Sequence, residues 1–208
     1  MPDVFAVADL LVSKVVDCCT DEVDLVAYYG SYAQGRAGPG SDLDIFYIPV
    51  AGKAPPVGRT VLIDGILFDF WPIPWDTMEG FATGNLRGWS LAPAIVYHAK
   101  VLYRRLDEAE MRLGMLKQKV IDLQQPPARL GMIRRALDAF QDVLACLGNL
   151  RLAATGGRFS DLRHAGFQVV LAAWECLALA NQAFFDQGLR SILSQADRLH
   201  SKQAKRLR

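Results

Sequence analysis

The chain has 208 residues, enough for one sizeable domain or two small ones. Hydrophobic residues make up 51% and charged residues 22%, which is typical of a folded globular protein. The formal net charge of +1 excludes a global electrostatic attraction to nucleic acid or to a membrane surface, so neither is an expected partner. A polyanionic substrate would have to be bound by a local site.

The four cysteines lack the paired spacing of a zinc or redox site and are interpreted as buried thiols in a reducing cytoplasm. Asp3 and Asp9 interrupt the N-terminal apolar stretch, so no secretory signal is predicted. Polar side chains also interrupt the most membrane-like segment, residues 165–185, which is interpreted as a buried helix. The sequence therefore predicts a soluble cytoplasmic protein.

The first part of the chain mixes helical and extended patterns. Residues 4–17 predict an amphipathic helix, and residues 23–29 and 42–50 predict two strands joined by a glycine-rich loop. Asp64-Gly65, between two more apolar runs, is typical of a tight β-hairpin because both residues adopt positive φ readily. A short strand near Lys100 would complete a mixed sheet of about five strands.

The second part of the chain, after Pro126-Pro127, has no strand pattern. Residues 128–153 and 160–185 predict two long helices. The sequence therefore predicts an α+β fold: a mixed sheet flanked by helices in a first domain of residues 1–125, followed by an all-α helical bundle domain of residues 126–208.

The most informative stretch is Asp42-Leu43-Asp44, at the start of the second predicted strand. Side chains alternate along a strand, so Asp42 and Asp44 project from one face while Leu43 points to the core. Two carboxylates about 7 Å apart along a strand repel each other unless a cation lies between them. Mg²⁺ suits such oxygen ligands and keeps substrate phosphates in its coordination shell.

Upstream, Gly30-Ser31 follows the first predicted strand. A glycine allows a phosphate to approach the backbone closely, and Ser31 can donate from both its N–H and its hydroxyl. Asp69 is a third candidate because it is a charge inside an apolar strand, where a carboxylate is normally paired, hydrogen-bonded or bound to metal. We therefore expect Asp42, Asp44 and Asp69 to converge near Ser31.

Together, Gly30-Ser31, a ten-residue gap, Asp42-Leu43-Asp44 and the later Asp69 resemble the motif of the nucleotidyltransferase superfamily, over residues 23–104. The resemblance implies an enzyme that transfers a nucleoside monophosphate from a nucleoside triphosphate, such as ATP, to an acceptor hydroxyl and releases pyrophosphate. It also implies that the three carboxylates hold two Mg²⁺ ions.

Within the superfamily, the chain is most similar to the kanamycin nucleotidyltransferase family and related aminoglycoside-modifying enzymes, in which a helical domain follows the catalytic domain. That similarity implies a role in antibiotic resistance and a homodimer. Asn149-Leu150-Arg151 resembles a stretch of that family, which implies Asp142 as the general base, with Asp138 as the alternative. The implied nucleotide-binding residues are Gly30, Ser31, Gln34, Arg36 and Ser41.

Two departures from the family leave the acceptor open. Gln34 stands where many members have an arginine, with Arg36 two residues on, and Cys146 replaces a lysine. One alternative is a minimal nucleotidyltransferase of the toxin–antitoxin type, fused to a helical domain with Arg158 and His164, that adenylylates protein or RNA. Another is an inactive nucleotide-binding scaffold. Nucleotide preference is likewise open.

Overall fold

The computed structural model describes residues 3–53, 58–84, 90–186, 194, 195, 197 and 199. A five-stranded mixed sheet forms in the order β3-β4-β2-β1-β5. β2 and β4 run parallel, and the other neighbouring strands are antiparallel. The strands are β1 Val23–Tyr28, β2 Leu43–Pro49, β3 Arg59–Ile63, β4 Ile66–Pro72 and β5 Lys100–Arg104.

Helices precede, interrupt and follow the sheet, and no described residue after position 127 lies in a strand. This confirms the predicted α+β class. The helices are α1 Val4–Cys19, α2 Gly30–Ala33, α3 Trp75–Thr83, α4 Ala92–His98, α5 Asp107–Leu123, α6 Arg129–Thr155 and α7 Phe159–Ala180, with a 3₁₀ turn at Pro126–Ala128.

The β3–β4 hairpin turns where the sequence predicts, at Asp64-Gly65. These residues have φ of 49° and 81°, the positive values that a two-residue hairpin turn requires. Ile63 pairs directly with Ile66 across the turn. This register determines which residues of β3 face each residue of β4.

One face of the sheet packs against α1. The Asp3 carboxylate caps this helix by accepting from the N–H groups of Phe5 and Ala6, at 3.0 and 3.4 Å. Val4, Ala8 and Val15 of α1 are buried in the same cluster as apolar residues of the strands. The strand residues of this cluster are Val23, Val26, Leu43, Ile45, Tyr47 and Phe68.

α7 ends five residues before the predicted end at residue 185. Gln182 has a φ of 50°, and the N–H groups of Gln182 and Ala183 donate to the carbonyls of Leu179 and Ala178. This Schellman pattern stops the helix although apolar residues continue beyond it. The Gln182 side chain also donates to the carbonyl oxygens of Leu123 and Gln125, at 2.9 and 2.7 Å.

The chain divides into two compact units, Met1–Leu86 with Ala92–Val120 and Arg87–Leu91 with Ile121–Arg208. The core of the second unit joins α6 to α7 through Met132, Ala136, Ala139, Trp174, Ala178 and Leu179, with Phe185. The assignment of residues 1–125 and 126–208 to a catalytic and a helical domain stays a prediction. None of the described helices has the length and apolar character of a membrane span.

The prediction that the cysteines are buried is wrong. Cys18 is exposed, and Cys19, Cys146 and Cys176 are only partly buried.

Candidate active site

The backbone makes a sharp turn at Gly30, between β1 and the single-turn helix α2. Gly30 has a φ of +71°, in the left-handed region that favours glycine. A Cβ atom at this position would overlap Oδ2 of Asp44. The absence of a side chain at Gly30 therefore lets the Asp44 carboxylate lie directly against the backbone.

The structure brings Asp42, Asp44 and Asp69 together. Asp42 immediately precedes β2, Asp44 lies on β2, and Asp69 is paired with Asp44 in the parallel β2–β4 register. One carboxylate oxygen from each residue lies within 4.8 Å of the others. Two-residue alternation along β2 and direct pairing across the sheet thus place three carboxylates on one face. We refer to these three residues as the acidic triad.

The acidic triad carries concentrated negative charge. Burial, followed by the charges of Asp42 and Asp69, raises the pKa of Asp44 to about 7. Burial also raises the pKa of Tyr29 above its usual range, with contributions from the same carboxylates. In the described part of the chain, no lysine or arginine forms an ion pair with the triad. A cluster of oxygen donors with unbalanced charge fits a hard divalent cation such as Mg²⁺.

Ser31, the residue after Gly30, has an unsatisfied side-chain hydroxyl. Its hydroxyl oxygen is buried, and no group among the described residues hydrogen-bonds to it. Buried hydroxyls normally have a partner, because leaving one unsatisfied costs about 1–3 kcal/mol. The Ser31 hydroxyl is therefore available to an oxygen of a bound phosphate group.

A known protein family matches the part of the chain that contains most of these residues. Residues 12–55 match the protein family described as nucleotidyltransferase domain. This match indicates a nucleotidyltransferase domain in that part of the chain. The matched segment contains Gly30, Ser31, Asp42 and Asp44 but ends before Asp69. It bears out the predicted enzyme class and supports the superfamily resemblance, while the resemblance to the kanamycin family stays a prediction.

Other comparisons add little to this match. No curated protein matches the chain. A solved structure described as a nucleotidyltransferase-like protein from Exiguobacterium sibiricum 255-15 is similar at 11% sequence identity and a TM-score of 0.47. The similarity covers 91% of this chain and 62% of that one, so this chain spans less than two thirds of its length.

The remaining loop residues contact one another. The side chains of Gln34 and Arg36 are hydrogen-bonded to each other, and the Arg36 N–H donates to the Ser31 carbonyl at 2.9 Å. The Gly38 N–H donates to the Ser41 hydroxyl at 2.9 Å, and the Ser41 N–H donates back to the Gly38 carbonyl at 3.0 Å. Ser41 thus shapes the loop that leads into the triad. Nucleotide binding by Gln34, Arg36 and Ser41 stays a prediction.

The candidate base lies in the other compact unit. Asp142 is exposed on α6, and Asp138 is exposed one turn earlier. The structure brings the three carboxylates together and places Asp44 against Gly30, next to Ser31 in sequence. The role of Asp142 stays a prediction.

Sequence reasoning missed two neighbours of Asp69 on the same sheet face. The Thr60 hydroxyl donates to Asp69 Oδ1 across the β3–β4 pair. The Trp71 ring packs so closely on Gly58 that a Cβ there would overlap it, and Trp71 is 48% exposed. The hairpin turn could have predicted the contact between Thr60 and Asp69. Both residues are equally distant in sequence from Asp64-Gly65, so a two-residue turn pairs them across the two strands.

Proposed function

We propose that the protein catalyses Mg²⁺-dependent transfer of a nucleoside monophosphate from a nucleoside triphosphate to an acceptor hydroxyl. The oxygen of the acceptor forms a bond to the α-phosphorus, the bond from that phosphorus to the β-phosphate oxygen breaks, and pyrophosphate leaves. A base takes the hydroxyl proton. The observation that carries this proposal is the convergence of three carboxylates, one of which lies against Gly30, the residue before the unsatisfied Ser31.

Asp42, Asp44 and Asp69 would hold two Mg²⁺ ions, and their excess negative charge is the reason for expecting cations there. Bound Mg²⁺ stabilises the charge that develops on the transferred phosphate. The Asp44 carboxylate takes the space beside the Gly30 backbone, so Gly30 contributes to the proposed site by admitting that carboxylate. Ser31 donates its hydroxyl to a phosphate oxygen. Gln34, Arg36 and Ser41 complete the proposed nucleotide-binding loop.

The strand order suggests where the acceptor enters. Ser31 follows β1, whereas Asp69 and Trp71 lie on β4, and β2 lies between these strands. A triphosphate held at Ser31 would place its leaving group on the β1 side of the triad. Because the attacking and leaving oxygens are roughly in line, the acceptor would approach from the β4 side, where the exposed Trp71 ring lies.

Trp71→Ala should therefore raise the Michaelis constant for the acceptor about tenfold, the size expected for loss of one aromatic stacking contact. The Michaelis constant for the nucleotide should stay unchanged. Steady-state kinetics in which each substrate is varied in turn would measure both values, with Trp71→Phe as a control that keeps a ring. An equal rise for nucleotide and acceptor would contradict this assignment.

The base is proposed to be Asp142, with Asp138 as the alternative. Asp142→Asn should lower the turnover number by a factor of about 10²–10⁴, the usual contribution of a general base, without weakening nucleotide binding. Pre-steady-state transfer rates and nucleotide titration would separate the two effects. Asp138→Asn is the matched control on the same helix. A normal turnover number in Asp142→Asn and a reduced one in Asp138→Asn would reassign the base.

We also propose a homodimer formed through the helical part of the chain. One stripe of α6 has apolar side chains that are 46–63% exposed and recur every three, four or seven residues, the spacing of a helix–helix contact. Sedimentation equilibrium would test this association. The residues of the stripe are Leu130, Leu137, Phe140, Leu144 and Leu147.

The test of transfer uses a nucleoside triphosphate labelled at the α-phosphate, with and without Mg²⁺. Candidate acceptors are aminoglycosides, as in antibiotic resistance, together with proteins and RNA. Label on an aminoglycoside would support the kanamycin-type acceptor, and label on protein or RNA would favour the toxin–antitoxin alternative. Arg158 forms an ion pair with Asp161 at 2.7 Å, which gives that alternative no added support. No Mg²⁺-dependent transfer to any acceptor would leave the inactive scaffold.

A further inference from the structure

The carboxylate of Asp69 is attached to the sheet by a hydrogen bond that the superfamily motif does not include. Thr60, on the edge strand β3, is the direct cross-strand neighbour of Asp69 on β4. Its hydroxyl donates to Oδ1 of Asp69. Among the described residues, this is the only hydrogen bond to any carboxylate of the acidic triad.

The other two carboxylates of the triad are constrained differently. Asp44 is partly buried against the backbone of Gly30, so its position is restricted by contact. Asp42 is exposed and precedes β2. Asp69 is only partly buried on β4, next to the edge strand β3. Without a hydrogen bond, its carboxylate could rotate about its terminal torsion, which has a broad range.

A threonine is well suited to hold such a carboxylate. Its branched side chain has few rotamers on a strand, so the direction of the hydroxyl is largely set by the backbone. A hydrogen bond to one carboxylate oxygen fixes the plane of the group and still leaves lone pairs for a cation. Hydrogen bonds to ligating carboxylates commonly contribute a factor of about 10–100 to metal affinity.

We propose that Thr60 is a positioning residue that orients the Asp69 carboxylate for a divalent cation. This inference rests on the proposed metal-dependent function. It gives β3 a role in the metal site, although this strand contributes no residue to the superfamily motif. Thr60 acts through Asp69 and touches neither the cation nor the substrate.

The test uses Thr60→Val, which keeps the branched shape and favours a strand but removes the hydroxyl. Mn²⁺ serves as the probe because it prefers the same oxygen ligands as Mg²⁺ and is detected by electron paramagnetic resonance. Thr60→Val in the full chain, without nucleotide, should weaken Mn²⁺ binding about tenfold. Thr60→Ser keeps the hydroxyl, so its Mn²⁺ affinity should stay within about threefold of that of the wild type.

Thr20→Val is the matched control, since the Thr20 hydroxyl donates to the Val16 carbonyl in α1, away from the triad. It should bind Mn²⁺ like the wild type. Mn²⁺ affinity in Thr60→Val equal to the wild type would overturn the positioning role and leave the proposed function intact. An equal loss in Thr60→Ser would also overturn it, because packing of the strand would then explain the effect. If the wild type and Asp69→Asn bound Mn²⁺ equally, the metal site and the proposed function would both fail.

Discussion

Replacement of Asp44 by asparagine should abolish Mg²⁺-dependent transfer without destabilising the fold. Asp44→Asn keeps the shape of the side chain and removes one charge from the acidic triad. In the triad, one carboxylate oxygen of each residue lies within 4.8 Å of the others. Loss of a metal-binding carboxylate removes several kcal/mol of transition-state stabilisation, which corresponds to roughly a thousandfold or more in rate. Transfer of a labelled α-phosphate would measure the change.

The same substitution should leave the melting temperature unchanged or raise it when divalent cations are absent. Burial and two neighbouring carboxylates raise the pKa of Asp44 to about 7, so its charged form is disfavoured in the folded protein. At pH 8, above that pKa, most of the Asp44 carboxylate is ionised and repels its two neighbours. Mg²⁺ should stabilise the wild type and have little effect on Asp44→Asn.

Asp64→Asn is the matched control for this experiment. Asp64 lies in the hairpin turn at a φ of 49°, where asparagine is at least as well tolerated as aspartate. This variant should retain both transfer and the stabilisation by Mg²⁺. A clear fall in the melting temperature of Asp44→Asn without metal would show that Asp44 has a structural partner, and would contradict the repulsion.

Local patterns of the sequence predict much of this site. Alternation along β2 determines that Asp42 and Asp44 share a face, and Asp64-Gly65 determines the hairpin. Both depend on residues close in sequence. The pairing of Asp44 with Asp69 depends on β2 and β4 meeting in parallel and in one particular register, which no local pattern specifies. The sequence marks Asp69 as a charge inside an apolar strand, which makes it a candidate ligand but does not specify that it pairs with Asp44.

Two features that the sequence did not predict also depend on contacts between residues that are distant in sequence. The close approach of Asp44 to Gly30 arises because β2 pairs with β1 after the loop, so the spacing of these residues in the sequence does not predict it. The early end of α7 depends on a left-handed Gln182 that is held by carbonyls of residues 123 and 125. Apolar residues continue beyond it, and their periodicity predicts a longer helix than the backbone forms.

Substitution of Gly30 should cost both stability and activity, for two separable reasons. An alanine at a φ of +71° adopts a left-handed conformation that costs about 1–2 kcal/mol for an L residue. Its Cβ would also overlap Oδ2 of Asp44 and displace that carboxylate from the triad. Gly30→Ala should therefore lose most Mg²⁺-dependent transfer and bind Mn²⁺ more weakly.

Gly52→Ala separates these two effects. Gly52 has a φ of +77°, almost that of Gly30, but a Cβ at this position would meet nothing within 4 Å. Both variants incur the backbone cost, and Gly30→Ala alone incurs the overlap with Asp44. Chemical denaturation should therefore show a larger loss of stability in Gly30→Ala, and Mn²⁺ binding should weaken only there. If the two variants lost equal stability and bound Mn²⁺ equally, Gly30 would serve the turn alone, and the close approach of Asp44 to the backbone would have no role in the site.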